Sequence, residues 1–285
     1  MRVCKLLILI DKVMKMKFLL FVFLIISINT NAQMYFFPGR ARDIRSLSFV
    51  DSGNLKIWYT VNASKNTSKS EDIHILEIGD NVSKYYSYNV YLSDSLFTDY
   101  VLNNPNSSVV PHFMRPSLAR KYLWSEIYKN LKNNMLTEYA HMPLYISDYE
   151  YSEEIPNFLW KIYEDTLYIK NRLCQKAVCS FRGRQYIAWF SKEFNQSNGP
   201  WKFGGLPGII LKIYDVKKEF VYECIRIDSA KEKFSIESYD YSNYDNIDRI
   251  ELLKLWTDIY DHYFILIGGT SKLQCTDKYN PLELE

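Results

Sequence analysis

The chain has 285 residues, a formal net charge of +2 and 24% charged residues. This near-neutral balance gives no electrostatic footprint for nucleic acid, and no polybasic cluster indicates a membrane surface. Tyrosine and phenylalanine occur 24 and 16 times. Because large aromatic side chains suit half-buried pleated surfaces, this composition favours β-structure.

Residues 1–32 have the pattern of a secretory signal. Lys15 and Lys17 precede the apolar run 18–28, and a small residue, Ala32, stands just before Gln33. A basic segment, an apolar segment and a small-residue cleavage site are typical of such signals, and the run is shorter than the roughly 20 residues of a membrane span. No cysteine stands directly after the run, so we expect no acceptor for a lipoprotein anchor there. We expect an exported mature chain, 33–285, that is periplasmic, outer-envelope associated or secreted and has no transmembrane segment.

The mature chain is predicted to form a single domain that begins with three strands. Apolar and polar residues alternate at 55–61, and the segments 73–78 and 84–92 also have strand patterns. Gly79, Asp80 and Asn81 predict a turn between the second and third strands, which gives a hairpin or a meander.

Residues 103–142 are predicted to form a loop and helical insertion in this domain. The stretch 103–117 is polar and contains three prolines, which indicates a loop. Within 118–133, Trp124, Ile127 and Leu131 recur at helical spacing, so an amphipathic helix is predicted there.

Short strand patterns then continue up to a final helix. They occupy 144–146, 158–162, 167–173, 175–181, 185–191, 208–214, 219–227 and 233–238. A helix is predicted at 246–263, capped by Asp245 or Asn246, with an apolar stripe formed by Leu252, Trp256, Ile259 and Tyr263. The whole pattern predicts a mainly β fold: a curved antiparallel sheet or open half-barrel with a C-terminal amphipathic helix and one helical insertion.

The densest sequence signal lies between Cys174 and Asp215. It contains Phe-Arg-Gly-Arg at 181–184, Ala-Trp-Phe at 188–190 and Gly-Pro-Trp-Lys-Phe-Gly-Gly-Leu-Pro-Gly-Ile-Ile-Leu at 199–211. This arrangement resembles the GLPGLI family of exported Bacteroidetes proteins, with Ile209 where the family most often has leucine. The ending Asn-Pro-Leu-Glu at 280–283 is also similar to the family's ending.

The resemblance implies an exported protein of unknown function and carries no catalytic residue over. The family is also similar to the bowl-like, non-catalytic N-terminal domain of a bacterial peptide N-glycosidase. That second similarity implies a curved antiparallel sheet.

The motif has a structural and a functional interpretation. In the first, Leu206-Pro207-Gly208-Ile209 forms a type II turn that leads into a strand, and Gly or Pro residues shape the loop before it: Gly199, Pro200, Gly204 and Gly205. In the second, the loop 195–208 displays Trp201 and Phe203 to a partner. Both rings can equally pack under the loop as a small core.

Two arginines add to the candidate binding residues. Arg182 and Arg184 are predicted to share one face of a strand, where they can bind a carboxylate, a sugar acid or a phosphate, or pair with nearby acids. The complete set of candidate binding residues is Arg182, Arg184, Trp201, Lys202 and Phe203.

Four cysteines remain in the mature chain: Cys174, Cys179, Cys224 and Cys275. In an oxidising compartment they can form one or two disulfides between distant segments, because an offset of five puts Cys174 and Cys179 on opposite faces of one strand. They can equally be small buried hydrophobic residues.

No complete catalytic or metal-binding pattern is present in the sequence. It contains no nucleophile elbow, metalloprotease or phosphate-loop motif, and its four histidines lack metal-ligand spacing. The acidic clusters at 148–154 and 164–165 are interpreted as solvated charge. We expect no cofactor and no metal.

The sequence thus favours a non-catalytic cell-envelope binding or accessory protein whose loop 195–208 contacts an envelope protein, a glycan or a lipid. One alternative is a carbohydrate-directed hydrolase whose carboxylates are brought together by the fold. The other is a carrier whose sheet surrounds a lipid or another small ligand.

Overall fold

A computed structural model describes residues 41–62, 72–106, 125–143, 145–266, 268 and 279–285. The predicted signal, the loop from residue 107 onwards, Trp124, Leu144 and Cys275 lie outside the described residues.

Twelve strands form one open, mixed sheet in the order β12-β6-β5-β4-β3-β2-β1-β11-β10-β9-β8-β7. All neighbouring pairs are antiparallel except β12 and β6. The strands are β1 (Ser48–Asn62), β2 (Asp72–Gly79), β3 (Val82–Ser87), β4 (Ser125–Asn130), β5 (Met135–Ala140), β6 (Tyr149–Glu154), β7 (Lys161–Ile169), β8 (Arg172–Phe181), β9 (Arg184–Ser191), β10 (Ile209–Asp215), β11 (Val221–Ser238) and β12 (Asp245–Asn246). The mainly β fold with an open sheet, a C-terminal helix and one inserted helix is confirmed.

The inserted helix lies earlier than predicted. Helix α1 spans Tyr88–Asn103 and begins directly after β3, so the strand predicted at 84–92 is wrong beyond Ser87. The Ser87 hydroxyl accepts a hydrogen bond from the Val90 amide, which caps the helix and ends the strand. The aromatic residues that follow were a misleading strand signal, because aromatics are also found in helices that pack on a sheet.

The prediction of a helix at 118–133 is wrong over its described part, 125–133, which contains a strand and a turn. Ile127 lies in β4 and is buried, and Leu131 lies in the turn that joins β4 to β5. Three apolar residues at helical spacing are too few to separate a helix from a buried strand. As a result, the segment 125–140 contributes two interior strands of the sheet.

Several predicted element boundaries also need correction. The described part of 144–146 is turn, and the segment 167–173 is broken because Lys170 and Asn171 both adopt positive φ in the β7–β8 hairpin. The segments 219–227 and 233–238 belong to one strand, β11. Sequence alone separated them because 228–232 is polar and mostly exposed.

Helix α2 spans Arg249–Leu266 and starts later than predicted. The Asp248 carboxylate, which accepts a hydrogen bond from the Ile250 amide, caps it, while Asp245 and Asn246 form β12. Its buried residues are those predicted for the apolar stripe, as far as side chains are described: Leu252, Trp256 and Ile259. They form a second apolar cluster with Ala140, Met142 and Tyr151, beside the main core of the sheet.

Candidate functional site

The aromatic residues of the motif are buried under its loop. Trp201 is 2% exposed and Phe203 is fully buried. Their ring centroids lie 5.0 Å apart, and the ring of Phe203 lies 4.8 Å from that of Tyr186. The expectation of exposed aromatic anchors is therefore wrong. Trp201 adopts a positive φ and the Phe203 amide bonds the Pro200 carbonyl, so the chain folds back and turns both rings inward.

The turn that leads into β10 is tighter than the predicted type II turn. The Gly208 amide donates to the Leu206 carbonyl at 2.8 Å, which makes a three-residue turn centred on Pro207. Gly208 has a φ of 146°, well away from the value near +80° of a type II turn. The strand predicted to follow is present as β10.

The glycines before this turn fit between packed groups. Gly199 lies against the Ile210 side chain, and the indole nitrogen of Trp160 donates to the Gly204 carbonyl at 2.8 Å. Gly205 adopts a positive φ beside the same indole. These contacts make the loop part of the core.

The two arginines of the Phe-Arg-Gly-Arg segment do not share a strand face. Arg182 and Gly183, both with positive φ, form the turn between β8 and β9, whereas Arg184 begins β9. Arg184 is buried and its Nη2 donates to Asn280 Oδ1 at 2.7 Å and to the Pro281 carbonyl at 2.6 Å. Its Nη1 binds Glu219 Oε2 at 2.8 Å.

A buried cluster of opposite charges lies beside Arg182. Lys202 Nζ binds the carboxylate of Glu283 and lies 3.0 Å from Glu138 Oε2. Arg182 pairs with Glu153, and its Nη1 lies 2.8 Å from Glu283 Oε1. Burial alone would raise the pKa of the Glu283 carboxyl, but Lys202 and Arg182 outweigh it and hold this pKa below its usual value.

The cluster joins parts of the sheet that are far apart in strand order. Glu138 is on β5 and Glu153 on β6, whereas Arg182 lies between β8 and β9. Seven strands separate β6 from β9 in the sheet. The sheet must therefore bend until its two halves meet at these charges, as in an open half-barrel.

Lys129 on β4 is a second buried cation, which the sequence did not single out. Its Nζ donates to the Phe203 carbonyl at 2.6 Å and to Asn198 Oδ1 at 3.1 Å. Removal from water lowers the pKa of this lysine from 10.5 to about 7. No pattern in the sequence pointed to this lysine, because its segment, Ser125–Asn130, was interpreted as part of a helix.

The described cysteines do not form the proposed disulfides. Cys174, Cys179 and Cys224 are free and buried, and desolvation raises the pKa of their thiols to about 11, about 12 and about 12. They behave as small apolar core residues, which was the other interpretation.

Other titratable residues are also paired within the chain. His74 lies 2.9 Å from Asp72, and His141 lies 3.2 Å from Asp148. No group of three His, Cys, Asp or Glu residues suited to a metal ion occurs within the described ranges. In those same ranges, no helix combines the length and the apolar character needed to cross a membrane.

A small cleft opens beside the charge cluster, with a volume of about 340 Å³ that includes solvent at its mouth. Glu138, Tyr151, Glu283 and Trp256 of α2 are among the residues that line it. The Tyr151 hydroxyl donates to Glu138 Oε2 at 2.8 Å, and Glu283 is held by cations. These carboxylates already have partners within the chain. The arrangement therefore holds residues 280–285 against the sheet.

The comparison with solved structures gives a distant structural likeness. The chain is similar to PNGF-II, a peptide N-glycosidase, in two crystal forms, with 15% sequence identity and a TM-score of 0.45. The alignment covers 71% of this chain and 33% or 32% of PNGF-II, so the chain spans about a third of that protein. No family model and no curated protein matches the chain. A likeness at this level carries no argument about activity.

Gly208→Ala is expected to lower the free energy of unfolding by about 3 kcal/mol or more. A Cβ at this position would lie 2.1 Å from the Ser191 carbonyl oxygen, and the φ of 146° suits only glycine. Gly204→Ala in the same loop is the control, because its Cβ would meet nothing nearer than 3.9 Å, and we expect less than about 1 kcal/mol. Chemical denaturation measures both, and equal losses would contradict the assigned turn.

Lys129 is expected to make stability depend on pH. Its folded pKa of about 7 lies below the usual 10.5, so between these values the unfolded chain binds more protons and stability rises with pH. The slope should reach about 1.4 kcal/mol per pH unit, and Lys129→Met should remove this contribution.

The measurement is the free energy of unfolding at several pH values for the wild type, Lys129→Met and Lys132→Met. Lys132 is exposed in the turn after β4, so its variant should keep the wild-type slope. An unchanged slope in Lys129→Met would show that this lysine keeps its proton in the fold.

Proposed function

We propose that this chain is an exported, GLPGLI-like cell-envelope protein with a non-catalytic binding or accessory role. One observation carries the proposal: the polar groups of the motif are bound by partners within the chain, and its aromatic rings are buried. Because its polar groups and rings already have partners inside the chain, the motif shapes the fold. The surface that meets a partner therefore lies elsewhere. The leader-like segment 1–32 supports export.

We assign binding to an aromatic surface formed by β1 and the outer side of α1. The half-buried Trp58 ring lies 5.1 Å from that of Tyr88, which lies 6.5 Å from that of Tyr91. Leu92 and Leu96 follow Tyr88 at helical spacing and are 41% and 45% exposed. Aromatic and aliphatic side chains exposed together are typical of an interaction site.

The surface has a polar border beside Trp58. Its indole nitrogen donates to Asp228 Oδ2 at 2.8 Å, and the Arg226 guanidinium lies 5.1 Å from its ring centroid. Buried or half-buried aromatics at the centre with charged groups at the rim are the composition of protein–protein interfaces. We therefore propose an envelope protein as the partner, in preference to a glycan or a lipid.

The loop 195–208 is the competing surface. Its accessible residues are Asn195, Ser197, Gly205 and Pro207, which offer little apolar area. No observation on the described residues favours the carbohydrate-directed hydrolase or the lipid or small-ligand carrier.

In-cell crosslinking of the tagged chain, followed by identification of the captured proteins, tests the assignment. Leu96→Asp should reduce capture of the partner about tenfold or more, because a charge would be buried in the interface. Leu131→Asp is the matched control, since Leu131 is 44% exposed in the β4–β5 turn and should not change capture. Asn195→Ala tests the loop.

Equal capture by Leu96→Asp and Leu131→Asp would contradict the aromatic surface. Loss of capture in Asn195→Ala alone would return binding to the loop. Export is tested separately by fractionating cells that produce residues 33–285 alone, which should remain in the cytoplasm.

A further inference from the structure

The segment 280–284 lies on the protein in the manner of a bound peptide. It forms no helix or strand, and residues from several separate elements contact it. The Tyr186 hydroxyl donates to the Leu282 carbonyl at 3.1 Å, and the Leu284 amide donates to the Arg182 carbonyl at 3.0 Å. Main-chain groups on both sides of Glu283 are thus recognised.

Arg184 recognises the first two residues of the segment. Its guanidinium binds the Asn280 side chain and donates twice to the Pro281 carbonyl, at 2.6 Å and 3.1 Å. Glu219, in the connection between β10 and β11, accepts a hydrogen bond from the same guanidinium at 2.8 Å and holds it in place. A buried, oriented guanidinium is a built recognition group, since its donors form a rigid fork.

Glu283 supplies the charge that the site recognises. Its carboxylate accepts a hydrogen bond from Lys202 and forms an ion pair with Arg182, and Arg249 of α2 donates to Oε2 at 2.6 Å. If Glu283 is withdrawn, the three cations keep only two carboxylates, Glu138 and Glu153, and one buried positive charge is left without a partner. The site therefore selects an acidic residue at this position.

Apolar burial holds the segment 280–285 at one residue, Leu282, which packs in the main core. Of the residues 280–285, only Leu282 and Glu283 are buried, and Leu284 is 55% exposed above Gly183. The other contacts are polar, and both kinds act on groups that any chain with the same four residues would present. This is why the groove can serve a segment that is not covalently continuous with it.

We propose that the groove formed by Arg182, Arg184, Tyr186, Lys202 and Arg249 is a recognition site for an acidic Asn-Pro-Leu-Glu peptide. The chain's own residues 280–283 occupy it, and the same segment of a second copy can take their place. The site is thus an assembly site between copies of this chain, independent of the aromatic surface assigned to a partner.

A full-length Glu283→Ala chain tests the proposal, because its own segment is weakened while the groove is intact. The probe is a labelled peptide of residues 279–285, Tyr-Asn-Pro-Leu-Glu-Leu-Glu, followed by fluorescence anisotropy. We expect saturable binding to Glu283→Ala, and binding at least about tenfold weaker for the peptide with Gln at the position of Glu283. The wild-type chain should bind poorly, since its groove is occupied.

Absence of saturable binding up to about 1 mM peptide would overturn the proposal, as would equal affinity for the Gln peptide. If Glu283→Ala does not fold, the wild-type peptide should restore its circular dichroism spectrum and the Gln peptide should not. Failure of both peptides to do so at that concentration would also overturn it.

Exchange between copies has its own measurement. Glu283→Ala supplies an open groove, and full-length Arg184→Gln supplies an intact segment with an impaired groove. Light scattering after mixing should show a species of twice the monomer mass that neither variant forms alone. If the peptide binds but the mixture stays monomeric, the site is a peptide site and the second-copy assignment is wrong.

Discussion

The fold depends on neutralising the buried ammonium of Lys202. An unpaired ammonium in the interior costs several kcal/mol, so the loop that carries Lys202 is stable only where carboxylates surround it. Those carboxylates come from β5 and from the segment 280–285, through Glu138 and Glu283. The motif loop, one half of the sheet and the last described segment therefore stabilise one another, and none of them is satisfied without the other two.

The same constraint explains why an open sheet bends. Arg182 at the β8–β9 turn reaches Glu153 on β6, across seven intervening strands. Lys129 adds a second link, because it leaves β4 to bind the Phe203 carbonyl in the loop before β10. The two cations are satisfied differently: Lys202 is held by charges, whereas Lys129 meets only neutral oxygens and its pKa falls to about 7.

Sequence patterns predicted the elements whose signal is local. Alternation located β1 and β2, and the stripe of Leu252, Trp256 and Ile259 located α2. Helix α1 was missed because its start depends on one serine cap, and β4 was mistaken for a helix on three residues. Short patterns fail where the tertiary environment of a segment decides its conformation.

The candidate site could not be predicted because its contacts join distant positions. Arg184 was a candidate for binding a ligand or for pairing with nearby acids. It pairs with Glu219, but its partners at 280 and 281 lie almost a hundred residues away and no local pattern points to them. Aromatic residues in a Gly- and Pro-rich loop look the same in sequence whether they face solvent or the core. The direction of the rings is set by the positive φ of Trp201, which an L-residue adopts only when surrounding contacts hold it there.

An internal role for the motif changes what its sequence can reveal about function. A loop that neutralises buried charge must keep its lysine, its glycines and its tight turn whatever the protein binds, so the motif specifies the fold and leaves the partner open. Trp58, Tyr88 and Tyr91, by contrast, are only partly buried. A motif can therefore resemble a binding loop in sequence and still act inside the fold.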